Sequence, residues 1–396
     1  MQSAERFENL PEYAFPRLRA LLDPHAPGAD PVAMSIGEPT HPFPGFIAET
    51  LAREAAGYAK YPPNEGTPAL REAIAGWVER RYGAQLDPGR EILPLNGTRE
   101  GLFMACLALC PETKNGARPV VLLPNPFYQC YAAAALAAGA EPVYVNATEA
   151  TGHLPDFAAL PAETLSRTAV AYLCSPANPQ GAVASPDYWR SLLALAETHD
   201  FRIFADECYS EIYRETPPTG ALEVARAAGT DPERVLAFHS LSKRSNLPGL
   251  RSGFCAGGPG TIRAVHRLRS YGGAPSPLPV QAAAAAAWAD EAHVVANREL
   301  YAEKYAIADE TLGNLPGYAA PEAGFFLWLK VGDGEKAATA LWRGAGVRAL
   351  PGAYLSRETP QGDPGKAYLR LALVADAATT RRGLVAVADL LREGLA

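Results

Sequence analysis

The chain has 396 residues with 36 Lys+Arg against 43 Asp+Glu, a formal net charge of −7, and a sequence pI near 5.6, a balance that argues against nucleic acid as the main partner. No apolar run approaches the ~20 residues of a membrane span, and Met1 to Phe7 lack the apolar core of a secretory signal, so the chain reads as soluble and cytoplasmic. The six cysteines form no C-x-x-C pair and the seven histidines no H-x-H or H-E-x-x-H spacing, which reads as reduced thiols and no metal site.

Up to Leu22, aromatic and proline punctuation precedes an amphipathic turn over 15–22, predicting an arm that docks elsewhere rather than opening a core. Residues 34–39 predict a short strand broken at Gly37, and 45–56 a helix. After the loop 61–66, Thr67 is placed as an N-cap with Pro68 at the first helical position. That helix carries Leu70, Ile74, Trp77 and Val78 on one side. Strands are then predicted over 119–123, 142–145, 169–174, 201–205, 234–238 and 253–256, with helices such as 128–138 and 187–199 between them. The alternation implies an α/β architecture, a mainly parallel sheet with helices on both faces. Such sheets take ligands at the carboxyl ends of their strands, where Asn178, Asp206 and Lys243 each follow a strand. No G-x-G-x-x-G or Walker A loop occurs, which removes the two commonest nucleotide readings. Beyond a helical region over 279–311, strands at 325–331 and 367–373 and helices at 334–344 and 377–393 predict a smaller α+β domain. The expected division is an arm joined to part of the small domain over 1–47, a large domain over 48–285 and a small C-terminal domain over 286–396.

The strand ends carry the chemistry. In Ser240-Leu241-Ser242-Lys243, followed by Pro248-Gly249-Leu250-Arg251, a lysine can attack carbonyl carbon only as a free amine. Partial burial and cationic neighbours favour that form. Ser240 and Arg251 suit phosphate oxygens. Asn96-Gly97-Thr98-Arg99-Glu100 is a glycine turn feeding an apolar helix, whose free N–H groups point at an anion. Tyr128 follows a strand end, where a ring can stack on a heterocycle. Asn178 follows another and can donate to a ring hydroxyl. Asp206 ends an apolar strand, where a carboxylate is costly to bury unpaired; a pyridinium N–H is a suitable partner, and Tyr209 lies three residues on. Arg370 alternates with Leu369 and Leu371, which puts it on the opposite face of its strand. Taken singly, these are a surface lysine, a plain N-cap, a core aromatic, a Pro/Gly turn and a salt-bridged arginine. Together they match what pyridoxal 5′-phosphate requires of a protein.

In this order the motifs resemble the fold-type I pyridoxal-phosphate enzymes, specifically the class I/II aminotransferases, over essentially the whole chain. The resemblance implies a large domain with a mainly parallel seven-stranded sheet flanked by helices, plus a smaller α+β domain. It implies that Lys243 holds the cofactor as a Schiff base and moves the proton between Cα and C4′. Asp206 would pair with the pyridine nitrogen, Asn178 and Tyr209 with the phenolic oxygen, and Tyr128 would stack on the ring. Gly97, Thr98, Arg99 (through its N–H), Ser240 and Arg251 would hold the phosphate. Tyr61 would reach the phosphate of a partner subunit, implying a homodimer with shared active sites. Arg370 would clamp the substrate α-carboxylate beside Asn178, with Gly37 closing over it. Gln180 departs from the family turn, which usually has threonine there.

The strings at 36–42, 125–129, 207–213 and 239–253 are similar to bacterial N-succinyldiaminopimelate aminotransferases, which exchange the amino group of glutamate with N-succinyl-2-amino-6-oxopimelate. A broad aspartate- or aromatic-type aminotransferase, a C–S lyase of the same fold and a non-catalytic binding or regulatory protein of that fold are the alternatives.

Overall fold

In the computed structural model, which describes residues 5–8 and 10–393, the large sheet has seven strands. They are β1 (Ile92–Leu95), β2 (Val120–Asn125), β3 (Glu141–Asn146), β4 (Thr168–Cys174), β5 (Arg202–Asp206), β6 (Val235–Ser240) and β7 (Gly253–Gly257). Their order is β1-β7-β6-β5-β4-β2-β3. Strands β2 to β6 pair in parallel, and β7 runs antiparallel to both its neighbours. β2, β4 and β6 are buried along their whole length, as a sheet covered on both faces requires. Successive side chains enter different cores. Ile203 and Ala205 join Trp77, Trp189 and Trp288, whereas Phe204 joins Tyr131, Tyr172 and Phe238.

The sequence reading missed β1, Ile92-Leu93-Pro94-Leu95, because Pro94 argues against a strand. The proline is tolerated because β1 lies at the edge of the sheet. Helix Pro68–Tyr82 starts where predicted, with the Thr67 side chain accepting the Leu70 N–H at 3.4 Å. The helix predicted over 45–56 is α-helical only over Phe46–Arg53, followed by a 3₁₀ segment at Ala55–Ala59. The region 279–311 divides into Leu278–Ala289 and Ala292–Leu312. At the break the Arg244 guanidinium donates to the carbonyls of Ala287 (2.7 Å) and Asp290 (3.1 Å) and to the Glu291 carboxylate (2.9 Å), supplying donors to carbonyls that a helix end leaves unpaired.

A second, antiparallel sheet of three strands has the order Leu350–Pro351, Tyr368–Ala372, Phe326–Lys330. Leu369 and Leu371 pack in a core with Tyr301, Tyr305, Leu341 and Leu384. The N-terminal helix Ala14–Leu22 lays Ala14, Leu18 and Leu22 against Trp342, Leu350 and Tyr354; Met1 to Ala4 and Asn9 of the expected arm lie outside the described residues. The strand predicted at 34–39 does not form. Only Val32–Ala33 pairs, in parallel, with Val347–Arg348. Beyond it the Ser35 carbonyl accepts from Arg370 Nη2 at 2.7 Å and the Gly37 carbonyl from Lys243 Nζ, so side chains satisfy backbone groups that a ladder would otherwise use. Among the described residues no helix is long and apolar enough to cross a membrane.

Candidate active site

The carboxyl ends of β2, β4, β5 and β6 and the strand Tyr368–Ala372 open onto one cavity of about 380 Å³. Gly37, Thr98, Arg99, Tyr128, Asn178, Asp206, Tyr209, Ser240, Lys243, Arg251 and Arg370 all line it. Gly97 stands directly behind Arg251. Tyr61 alone among the expected site residues stands apart from the cavity, its side chain fully exposed.

Lys243 sits on the short helix Leu241–Arg244 that follows β6. Burial, aided by the Arg370 and Arg251 cations, lowers its amine from the ordinary lysine range to about 8, which raises the share of free amine near neutrality. Besides the Gly37 carbonyl, Nζ lies 5.2 Å from the Phe325 ring centroid. Asp206 is the last residue of β5 and is buried. Its Oδ2 accepts from the Tyr131 hydroxyl at 2.6 Å and its Oδ1 from the Cys208 N–H at 3.3 Å. Burial pushes its carboxyl upward, and hydrogen bonds from the Cys208 side chain, the Tyr131 hydroxyl and the Cys208 N–H pull it part of the way back. Tyr131 is held by stacking on Tyr172, ring centroids 4.5 Å apart.

Arg370 is 4% exposed. Its Nη1 donates to Asn178 Oδ1 at 3.1 Å and its Nη2 to the Ser35 carbonyl. Its guanidinium lies 4.2 Å from the Phe326 ring centroid. Nε is buried with no hydrogen-bond partner among the described residues, and burial lowers the guanidinium to about 10. Asn178 Nδ2 in turn faces the Tyr209 hydroxyl at 3.5 Å. No carboxylate pairs with Arg370 and no cation with Asp206 among the described residues, although unpaired buried charge is costly.

An anion cradle completes the site. Helix Thr98–Leu109 begins at Gly97 without a side-chain cap, leaving N–H groups free at its positive end. Gly97 has φ of +81°, a conformation that favours glycine, and a Cβ there would lie 2.2 Å from Arg251 Nη2 and displace that guanidinium. The Arg251 guanidinium donates to the carbonyls of Pro248 (2.8 Å) and Asn96 (3.3 Å). The Ser240 hydroxyl accepts the Ser242 N–H at 3.1 Å. The Arg99 side chain leaves the cradle: its Nε donates to the Tyr128 hydroxyl at 2.5 Å.

These groups fit pyridoxal phosphate: an amine for its aldehyde, an unpaired carboxylate for its ring nitrogen, donors for its hydroxyl and an uncapped helix end for its phosphate. Sequence reading missed Tyr131 and Cys208. Tyr131 falls two helical positions beyond Gln129 in an alanine-rich run and reads as core. Cys208, whose Sγ lies 3.1 Å from Thr98 Oγ1, carries no motif signal beyond its place after Asp206. Nor was the reach of the N-terminal segment into the site assigned to particular residues; Tyr13 and Phe15 line the cavity.

A mixed seven-stranded sheet whose strand ends offer an amine, a carboxylate and an anion cradle suits the pyridoxal-phosphate-dependent transferases. The chain belongs to the class I and II aminotransferases: the model of that family matches residues 29–387, and its members use pyridoxal phosphate as cofactor. It is 37% identical over 383 residues to an LL-diaminopimelate aminotransferase of Desulforudis audaxviator, covering 93% of each chain. It is 35% identical over 346 residues to 4-dedimethylamino-4-oxo-anhydrotetracycline transaminase of Streptomyces rimosus, covering 87% of this chain and 89% of that one. Among solved structures, an aminotransferase from Neisseria meningitidis superposes with a TM-score of 0.94 at 40% identity, covering 98% of this chain and all of the other. A Thermus thermophilus protein named "probable N-succinyldiaminopimelate aminotransferase" superposes with a TM-score of 0.83 at 26% identity, covering 95% and 99%. The chain is therefore an aminotransferase, acting on amino and keto acids.

Proposed function

We propose that this aminotransferase moves the amino group of glutamate to N-succinyl-2-amino-6-oxopimelate. The observation that supports the aminotransferase chemistry is the convergence of Lys243, Asp206 and Arg370 on one cavity, with Asp206 and Arg370 buried and without an ion-pair partner among the described residues. Pyridoxal phosphate, when bound, supplies the electron sink that makes the substrate Cα–H acidic. Asp206 keeps the ring nitrogen protonated. Arg370 grips the α-carboxylate as a fork and, with Asn178, fixes the direction of the Cα–H bond. Lys243 would take the proton from the substrate Cα and deliver it on the far side of the amino nitrogen. Water would supply the oxygen with which glutamate leaves as 2-oxoglutarate, and its amino group would stay behind in the site. The incoming keto acid would take up that group and release water as it meets the same residues in reverse.

The succinylated substrate is supported by the motif strings at 36–42 and 207–213 and by the name of the Thermus neighbour. The names of the curated relatives favour a second reading, unsubstituted LL-diaminopimelate. Either substrate carries a carboxylate far from the reacting carbon. Arg99, on the cavity wall and without a carboxylate partner among the described residues, offers it a cation. Turnover of N-succinyl-LL-diaminopimelate and LL-diaminopimelate with 2-oxoglutarate, followed as glutamate formed, separates the readings. Higher kcat/KM for the succinyl compound is expected, and the reverse preference would replace it with the second reading. Pyruvate and ammonia released without use of the keto acid would overturn both.

The same proposal includes a cytoplasmic homodimer in which Tyr61 reaches the phosphate held by a second copy. It includes a three-part division close to 1–47, 48–285 and 286–396. The second boundary is better set at Asp290, because Leu278–Ala289 is one helix whose Ala283, Ala284 and Trp288 pack in the core of the large sheet.

A further inference from the structure

Helix Ala292–Leu312 buries a second lysine, Lys304, which is 2% exposed and pairs with no carboxylate among the described residues. Its ammonium lies 2.6 Å from His41 Nε2, donates to the Leu373 carbonyl at 3.2 Å and stands 5.1 Å from the Tyr301 ring centroid. An ammonium only donates. His41 Nε2 must therefore accept, and the ring proton resides on Nδ1, which donates to Asn297 Oδ1 at 2.8 Å. That oxygen also accepts from Asn246 Nδ2 at 3.0 Å, while Asn297 Nδ2 faces the backbone carbonyl of Lys243 at 3.5 Å. His41 also packs on Tyr301, ring centroids 4.6 Å apart.

These bonds run between the backbone pieces that carry the reacting groups. Leu373 follows the strand that bears Arg370. Asn297 holds the lysine-bearing helix. His41 ends a strap, residues 35–41, along which the Ser35 carbonyl accepts from Arg370, the Gly37 carbonyl from Lys243 Nζ, and the Thr40 hydroxyl donates to the Val374 carbonyl. Burying a cation here is costly, and ordinary packing would be served as well by a methionine of similar length.

We propose that Lys304 and His41 are positioning residues, clamping the 35–41 strap between the Arg370 strand and the Lys243 helix and so setting how the α-carboxylate fork faces the reacting amine. The inference rests on the roles given above to Lys243 and Arg370. Its test is Lys304→Met, with His41→Phe as a second variant that keeps the ring stacked on Tyr301. Hydrogen exchange of the 35–41 peptide in the apoprotein is expected to quicken about tenfold or more in each variant. KM for glutamate should rise about tenfold while kcat falls less, on the scale of a lost charge-assisted hydrogen bond. Because the two residues act through one bond, the double variant should cost no more than the worse single one. A lower melting temperature with exchange and KM unchanged would reduce the pair to packing and overturn the proposal, as would fully additive losses. If Lys304→Met does not fold, His41→Phe decides by the same two measurements. Absence of glutamate turnover in the wild-type holoenzyme would instead sink the functional reading, and the exchange arm would still judge the strap.

Discussion

Asp206 and Arg370 are ionisable groups that the fold takes out of water without an ion-pair partner among the described residues, and Lys243 stands half-buried beside them. A carboxylate so placed raises its own proton affinity, and a cation lowers its own; the directions at all three positions agree with this. In the function proposed above, the charges that Asp206 and Arg370 lack come from the cofactor and the substrate. Asp206→Asn should keep the Tyr131 hydroxyl within bonding reach and still admit the cofactor, while glutamate half-reaction rates fall about 10²- to 10³-fold, the cost of deleting one preorganised electrostatic partner. Rapid-mixing absorbance measures both, and rates within a few-fold of wild type would remove Asp206 from the chemistry. The lowered amine of Lys243 makes a pH prediction with a definite sign. Its neutral form, which attacks the aldehyde, grows as pH rises through about 8. Covalent attachment of pyridoxal phosphate to the apoprotein should therefore accelerate with pH and level off above that value. An unshifted lysine would keep accelerating through about pH 10.

At the scale of elements, the site is a set of terminations. β5 ends on Asp206, β6 on Ser240, and helix Thr98–Leu109 opens on a glycine that faces Arg251. Parallel strands place such ends on one edge, which is why residues distant in the chain share a cavity. Gly97→Ala tests the cradle, since it must relieve both a left-handed φ and a 2.2 Å approach to Arg251. Displacing that guanidinium should weaken pyridoxal phosphate binding about tenfold, equivalent to ~1.4 kcal/mol. The apoprotein should lose a few degrees of melting temperature at most, the usual consequence of ~1 kcal/mol. Spectrophotometric titration of the apoprotein gives the first quantity. Unaltered affinity would mean that the phosphate is held elsewhere.

Across the whole molecule, the exposed aromatics Tyr61, Tyr58 and Phe43 lie on the segment between the strap and helix Pro68–Tyr82. If a second copy covers this surface and Tyr61 completes its cradle, sedimentation should give twice the 42.0 kDa chain mass. Tyr61→Phe should then weaken cofactor retention without dissociating the pair. A fully active monomer would contradict the shared site.

By itself the sequence marked the residues proposed for the chemistry and the strand ends near which they fall. Both are local properties: a polar residue after an apolar run announces itself without any knowledge of its neighbours. Lys243, Asp206 and Asn178 were legible for that reason, as was Thr67 at a helix start. Tertiary structure decided the rest. Arg370 meets the Ser35 carbonyl across 335 positions, and Lys304 meets His41 across 263; no periodicity carries such pairings. It also turned residues 34–39 from an expected strand into a strap, because its carbonyls found side-chain donors. It admitted Pro94 at a sheet edge that only the strand order reveals. Desolvation, which sets the proton affinities of the site, arises from everything packed around a group, and so it appears only once the chain has closed on itself.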